Sequence, residues 1–206
     1  MTRSTLQGQD QRLMVGAIIL AAGQGSRYRQ VAGFDQDKLL ALCVGRDGVV
    51  RPVVEHTLRN LPASLESRIL VTTGDRPEVA RLARAYGCEV LLQACTGMGD
   101  SIAAAVATHP AQEGWLIVLG DMPFILPSSI ERVIARMAAD SISVPVHGGE
   151  FGHPVGFGAA YGPALMALSG DRGAKPLFAS AKVIEVALED PGVLWDVDVP
   201  QALAFK

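Results

Sequence analysis

The stretch from Ala17 to Lys38, AIILAAGQGSRYRQVAGFDQDK, constrains what this chain can fold into more than any other. Ala17 to Ala21 is a short apolar run with two β-branched residues. It ends in a polar, glycine-bearing segment, the pattern of a buried strand running into a loop. The run is predicted to be the first strand of a parallel sheet. The loop behind it carries Gly23, Gly25 and Ser26 together with the cations Arg27, Arg29 and Lys38. Residues without side chains let backbone N–H groups approach an anion closely, and Arg and Lys neutralise its charge, so the combination suits an oligophosphate. Two better-known glycine motifs do not fit. A dinucleotide fingerprint needs a third glycine where Tyr28 stands, and a Walker-type loop needs Gly-Lys-Ser/Thr, whereas Lys38 lies between Asp37 and Leu39.

The rest of the chain repeats the strand-to-helix alternation. Val53, Val54, Thr57, Leu58 and Leu61 fall at helical spacing after Pro52, a residue suited to a first helical turn. Arg68 to Thr72 reads as a strand, Pro77 to Tyr86 as a helix and Cys88 to Leu92 as a strand. A helix over Ile102 to Ala107 follows, then the strand Trp115 to Leu119, a helix from about Ser128 to Met137, the strand Ile142 to Val146 and a last strand over Val183 to Leu188. Gly148-Gly149 marks a hairpin turn. This order predicts an α/β fold, a Rossmann-like three-layer sandwich with a mostly parallel central sheet, in which ligands gather at the carboxyl ends of the strands.

Composition limits the function classes. At 206 residues the chain suits one domain, 14–206, behind a polar segment 1–13 that is expected to be a mobile tail. Hydrophobic residues at 49% and charged residues at 19% place it among globular chains, and a net charge of −3 argues against a general nucleic-acid or anionic-membrane surface. Any anion site must be local. Cys43, Cys88 and Cys95 cannot all pair internally and form no C-x-x-C knuckle, which suits a reduced, cytoplasmic protein. No apolar run reaches membrane-spanning length, and the first residues carry no apolar signal region.

Four further segments carry chemistry. In Gly97-Met98-Gly99-Asp100-Ser101-Ile102 the plain reading is a loop with Asp100 or Ser101 as helix N-cap. Asp121, in Gly120-Asp121-Met122-Pro123, stands just past a buried strand, where an acid is either a turn residue or a holder of a cation above the sheet. Leu168 to Lys175, L-S-G-D-R-G-A-K, reads plainly as a helix end followed by a charged turn. The last is D-V-D-V-P, Asp196 to Pro200, in which Asp196 reads as a cap or a surface acid.

Taken together, Leu20-Ala21-Ala22-Gly23-x-Gly25-Ser26-Arg27 with a following K-L-L resembles the signature loop of the molybdenum cofactor cytidylyltransferase and MobA-like nucleotidyltransferases. The resemblance implies the nucleotidyltransferase fold and a set of roles. The loop Leu20 to Ser26 wraps a nucleoside triphosphate, Arg27 meets its β and γ phosphates, and Lys38 lies near the α phosphate. Gly97, Met98 and Ser101 match the loop for the base and sugar. Asp121 and Asp198 match the ligands of Mg²⁺, and Arg27, Lys38 and Asp121 the catalytic set. His153 and Pro154, in G-H-P-V-x-F, match a segment over the acceptor pocket, and Arg172 and Lys175 match a run that meets an anionic acceptor. Ala21-Ala22-Gly23 resembles the branch that uses CTP, and the implied acceptor is molybdopterin, with a client molybdoenzyme as partner. The chain departs from the family pattern in three places. Arg27 and Lys38 stand eleven positions apart, Val199 replaces a threonine, and Lys175 an arginine. Two other readings remain open. One changes the acceptor to a sugar or alditol phosphate. The other makes the chain a non-catalytic carrier of a nucleotide or pterin.

Overall fold

Along each central strand, alternate side chains enter two different cores. In the computed structural model, which describes residues 14–94, 97–109 and 113–206, the first strand β1 (Val15–Leu20) sends Val15, Ala17 and Ile19 to one face and Ile18 to the other. Strand pleating requires this alternation. The expected tail 1–13, along with Cys95 and Thr96, lies outside the described residues.

After β1 come α1 (Ser26–Ala32), a hairpin of β2 (Leu42–Val44) and β3 (Val50–Pro52), α2 (Val53–Asn60), β4 (Ser67–Thr72), α3 (Pro77–Ala85), β5 (Glu89–Leu92) and α4 (Met98–Thr108). The second half runs β6 (Gly114–Leu119), α5 (Pro127–Ile134), β7 (Ile142–His147), β8 (Glu150–Phe151), β9 (Val155–Gly158), α6 (Gly162–Met166) and β10 (Val183–Ala187), with short 3-10 turns around and after β10. Among the described residues the main sheet has eight strands, in the order β10-β7-β9-β6-β1-β4-β5, with β8 paired to β7. β6, β1, β4 and β5 are parallel neighbours, as are β7 and β10. The sheet is therefore mostly parallel, as the alternation of elements predicts.

The exceptions are the short β8, antiparallel to β7, and β9, which runs antiparallel between β6 and β7. The resemblance puts His153 and Pro154 over an acceptor pocket, and the residues that follow them, Val155–Gly158, form a fully buried strand of the sheet. Gly158 makes this possible, because a Cβ there would stand 2.0 Å from the carbonyl oxygen of Ala138.

Val54 and Leu58 of α2, Val79 and Leu82 of α3 and Ile130 and Val133 of α5 pack on one face of the sheet with Leu70, Leu116 and Val118. Ile102 and Val106 of α4 and Leu165 of α6 pack on the other with Ile18, Val71, Ile117 and Phe157. These are the three layers. Among the described residues no helix is long and apolar enough to cross a membrane. Among the described residues Cys43 and Cys88 are free and buried, and burial pushes both thiols up to about 11, which leaves them protonated and unreactive near neutral pH.

Candidate active site

The loop after β1 is held by its neighbours on both sides. Gly120 N–H donates to the carbonyl of Leu20 at 2.9 Å and Ala21 N–H donates to the carbonyl of Val71 at 2.8 Å, so β1 ends flush with β6 and β4. A Cβ at Gly120 would lie 2.9 Å from the Leu20 oxygen, so this close approach needs glycine. The loop then turns at Gly25, whose φ of 62° is left-handed, and passes directly into α1. The sequence reads Ser26 to Ala32 as loop. The glycine turn and a second glycine, Gly33 at the C-cap, make it a helix. Half of the ten residues between Arg27 and Lys38 are thereby helical, which shortens the span.

A cavity of about 690 Å³ opens between this loop and the start of α4. Leu20, Ala21, Ala22, Gly23 and Ser26 line one side, and Gly97, Met98 and Ser101 line the other. Ser101 Oγ donates back to the Gly97 carbonyl at 3.0 Å. The helix N-cap is Gly97, with no side-chain cap, in place of the expected Asp100 or Ser101. Asp100 instead accepts from Gly170 N–H at 2.9 Å while Gly99 N–H donates to the Gly170 carbonyl at 2.7 Å, which ties the L-S-G-D-R-G-A-K segment to α4.

Lys38, Asp121 and Asp198 meet at the floor of the cavity. Lys38 Nζ donates to Asp121 Oδ2 at 2.5 Å and to Asp198 Oδ1 at 3.1 Å, and Arg27 Nη1 donates to Asp198 Oδ2 at 2.8 Å. Asp121 follows the last residues of β6. Its backbone carbonyl accepts from Val197 N–H at 2.9 Å, and that bond carries the C-terminal segment, with Asp198, across the end of the strand. Burial works against the Lys38 ammonium, yet the carboxylates of Asp121 and Asp198 prevail and hold its pKa above the usual lysine value. Burial likewise works against the Asp198 carboxylate, and Lys38 and Arg27 outweigh it and hold its pKa below the usual range. Asp196 also lines the cavity. Burial first, then the negative charge of Asp198 and Asp121, pushes its carboxyl up.

The donor set fits a divalent cation. Two carboxylates already share one cationic group, and all the donors are hard oxygens. Among the described residues no group of three or more His, Cys, Asp or Glu side chains forms a metal cage. Mg²⁺ is typically held in this way, by one or two carboxylates plus substrate phosphates and water.

Other expected contacts stand elsewhere. Arg172 and Lys175 are exposed and do not line this cavity; Asp171 does. The turn runs through two left-handed glycines, Gly170 at φ 70° and Gly173 at φ 54°, and Asp171 is the side chain it leaves facing the cavity. His153 and Pro154 also fall outside the lining. His153 is half-buried, its Nδ1 is enclosed with no partner among the described residues, and burial lowers its pKa against the pull of Asp121 and a backbone bond with Ile117. Gln24, Asp171 and Asp196 are lining residues that sequence reasoning did not assign to the site. The D-x-D spacing was the available signal for Asp196.

A mostly parallel three-layer sheet, with a glycine loop at the end of its first strand facing a lysine and paired aspartates, defines the nucleotidyltransferase class of fold. The comparisons with known proteins narrow this further. The chain belongs to the family of the MobA-like NTP transferase domain, whose model matches residues 17–186. Over 138 residues it is 36% identical to the bifunctional protein GlmU of Cereibacter sphaeroides, an alignment covering 65% of this chain and 28% of that protein. The chain thus spans under a third of the length of that relative. The crystal structure of Rv0371c from Mycobacterium tuberculosis superposes with a TM-score of 0.75 at 27% identity, covering 92% of this chain and 95% of that one. Its complex with manganese superposes at 0.66 over 85% and 88% of the two chains, again at 27% identity. A nucleotidyl transferase from Methanothermobacter, Mth528, shares the fold with a TM-score of 0.77 at 22% identity over 92% and 94% of the two chains.

Proposed function

We propose that this chain is a nucleotidyltransferase that transfers CMP from CTP to a phosphate acceptor, molybdopterin or its molybdenum-bearing form, and releases pyrophosphate. The observation that carries the reading is the convergence of the Leu20 to Ser26 loop, Lys38, Asp121 and Asp198 on one cavity, although these residues are scattered over most of the chain. The CTP preference and the pterin acceptor rest on the Ala21-Ala22-Gly23 and G-D-R-G-A-K resemblances.

In this reaction a phosphate oxygen of the acceptor attacks the α phosphorus in line. The bond from that phosphorus to the bridging oxygen breaks, and pyrophosphate carries away the charge. The protein positions the reactants and stabilises charge, with no covalent intermediate on a side chain. The loop amides bind the β and γ phosphates and Arg27 neutralises them. Lys38 exchanges its carboxylate partners for the α phosphate, where negative charge grows in the transition state. Asp121 and Asp198 would hold Mg²⁺, which when bound supplies Lewis-acid stabilisation of the phosphate oxygens.

A second acceptor class, the sugar or alditol phosphates, is favoured by one observation. The side chain that the Leu168–Lys175 loop brings to the cavity is the acid Asp171, which suits hydroxyl donors better than a second phosphate. Pyrophosphate release measured with Mg²⁺ and molybdopterin, offering CTP, GTP, ATP and UTP in turn, tests the reading. Release with CTP supports it. Release chiefly with another nucleotide keeps the transfer and discards the base. Binding without release, with sugar phosphates also inert, leaves the carrier role.

A further inference from the structure

Arg76 and Asp190 are the two buried residues of full charge among the described residues, and Arg76 lies directly behind the glycine loop. The turn T-T-G-D-R-P at the end of β4 runs to Pro77, the first residue of α3, which leaves Arg76 at the N-cap in a non-helical conformation, φ −117° and ψ 60°. From there its guanidinium reaches back 55 and 53 positions in sequence. Nη1 donates to the carbonyl of Ala21 at 2.7 Å and Nη2 donates to the carbonyl of Gly23 at 2.7 Å. Thr72 Oγ1 adds a second bond to the Ala21 carbonyl at 3.2 Å. Nε makes no hydrogen bond among the described residues but lies 3.2 Å from Asp37 Oδ2 as an ion pair, one residue before Lys38, and the other oxygen of that carboxylate accepts from Leu39 N–H at 3.0 Å.

A trans peptide unit points its carbonyl and its N–H in opposite directions. Among the described residues the single cis peptide is His153–Pro154, so the units joining Ala21 to Ala22 and Gly23 to Gln24 are trans. A guanidinium that captures the Ala21 and Gly23 carbonyls therefore turns the N–H groups of Ala22 and Gln24 away from itself. Arg76 does not line the cavity that holds Lys38 and Asp121, whereas Ala22, Gly23 and Gln24 do; Ala22 and Gln24 also border a second cavity of about 650 Å³ on the side of Arg76. Without the guanidinium behind the loop, the buried Ala21 carbonyl would keep only Thr72 Oγ1 and the carbonyl of the exposed Gly23 would turn to solvent, leaving the peptide after Gly23 free to flip.

We propose that Arg76 is a positioning residue. Its planar fork fixes two peptide units of the glycine loop with their amides presented to the triphosphate, and through Asp37 it keeps Lys38 in register with that loop. This rests on the nucleotidyltransferase reading above. A lysine has the charge but not the fork, so it cannot span both carbonyls.

The test measures dissociation constants by titration calorimetry for Mg²⁺ with CTP, and for inorganic tripolyphosphate, which needs only the loop and its cations. Arg76→Lys is expected to weaken both ligands at least about tenfold, the loss from about 1.4 kcal/mol of misaligned binding. Arg76→Ala is expected to weaken them further and to regain affinity when methylguanidinium is added. A role in stability alone would lower the melting temperature of Arg76→Lys, leave both constants unchanged and give no rescue; that outcome overturns the proposal. Should neither Arg76 variant fold, Thr72→Val decides, with an expected two- to threefold weakening of both ligands, and unchanged constants overturn the assignment. A wild-type protein that binds neither ligand removes the nucleotidyltransferase reading and this inference with it. A wild-type protein that binds both, with variants that bind equally well, removes the inference alone.

Discussion

Asp190 and Asp121 each face a cation, and the two clusters are built for opposite ends. Asp190 is 2% exposed and every lone-pair direction is taken by its own chain. Oδ1 accepts from Arg46 Nη1 at 2.5 Å and Gly192 N–H at 3.1 Å, and Oδ2 from Leu126 N–H at 2.9 Å and Ser129 Oγ at 2.7 Å. Arg46 itself donates to the Phe124 carbonyl and lies 5.1 Å from the centre of the Phe205 ring. This knot ties the β2–β3 turn, the start of α5 and the chain after β10 into one unit. Asp121 and Asp198 have instead, among the described residues, only the movable ends of Lys38 and Arg27 as side-chain partners, at the floor of an open cavity. A charge that holds a fold is satisfied with fixed backbone donors, whereas a charge that must meet a ligand keeps partners it can exchange.

Asp121→Asn should break the comparison most visibly on the catalytic side. Pyrophosphate release is expected to fall by about a hundred- to a thousandfold, while the melting temperature shifts by no more than roughly 2–4 °C. Activity within a few-fold of wild type would remove Asp121 from the reaction, and a large fall in melting temperature would make its cluster structural after all.

The mirror experiment is Asp190→Asn. Breaking a buried, hydrogen-bonded pair costs about 3 kcal/mol, hence a drop of roughly 6–12 °C in a domain of this size, with kcat/KM of the folded protein unchanged. The pH dependence sharpens this. Burial alone would raise the Asp190 pKa, but the bonds from Leu126, Ser129, Arg46 and Gly192 prevail and hold it below the usual carboxylate range. A depressed folded-state pKa gives stability that is fully present above the unfolded value, near pH 4, and is lost as the pH falls through the lower folded value. Urea denaturation from pH 3 to pH 7 should show the wild-type advantage over Asp190→Asn constant above about pH 5 and shrinking below pH 4. An advantage that grows on acidification would contradict the charge account.

The smallest effect belongs to Arg27→Gln. The Arg27 side chain is 79% exposed, so its pair with Asp198 is expected to contribute under about 0.5 kcal/mol to stability. Against a triphosphate the same guanidinium makes charge-assisted bonds, and KM for the nucleotide should rise roughly tenfold. A melting temperature that falls while KM stays fixed would place Arg27 with Asp190 rather than with Asp121.

Much of this molecule was legible along the chain, because much of it depends on near neighbours. The apolar runs at Ala17, Arg68 and Trp115 became the adjacent parallel strands β1, β4 and β6, since a strand buried on both faces must be apolar throughout. The glycine loop, Lys38, Asp121 and Asp198 could be named in advance because each sits in a short motif that resembles one of the family's. The backbone contact from Val197 to Asp121 then supplied their meeting point.

What the tertiary structure alone decided are the pairings between distant segments. The antiparallel β9 entered the sheet because Gly158 admits a close approach that no local pattern announces. Asp171 rather than Arg172 faced the cavity because glycine turns on either side set its direction. Arg76 and Asp190 carry no sequence motif, and are the two buried charged residues among the described ones because partners more than fifty positions away, the carbonyls of Ala21 and Gly23 for one and Leu126 N–H and Ser129 Oγ for the other, close around them. Periodicity reports what a residue does within its own element. The partner that makes a buried charge tolerable comes from another element, so its identity is settled only when the elements pack.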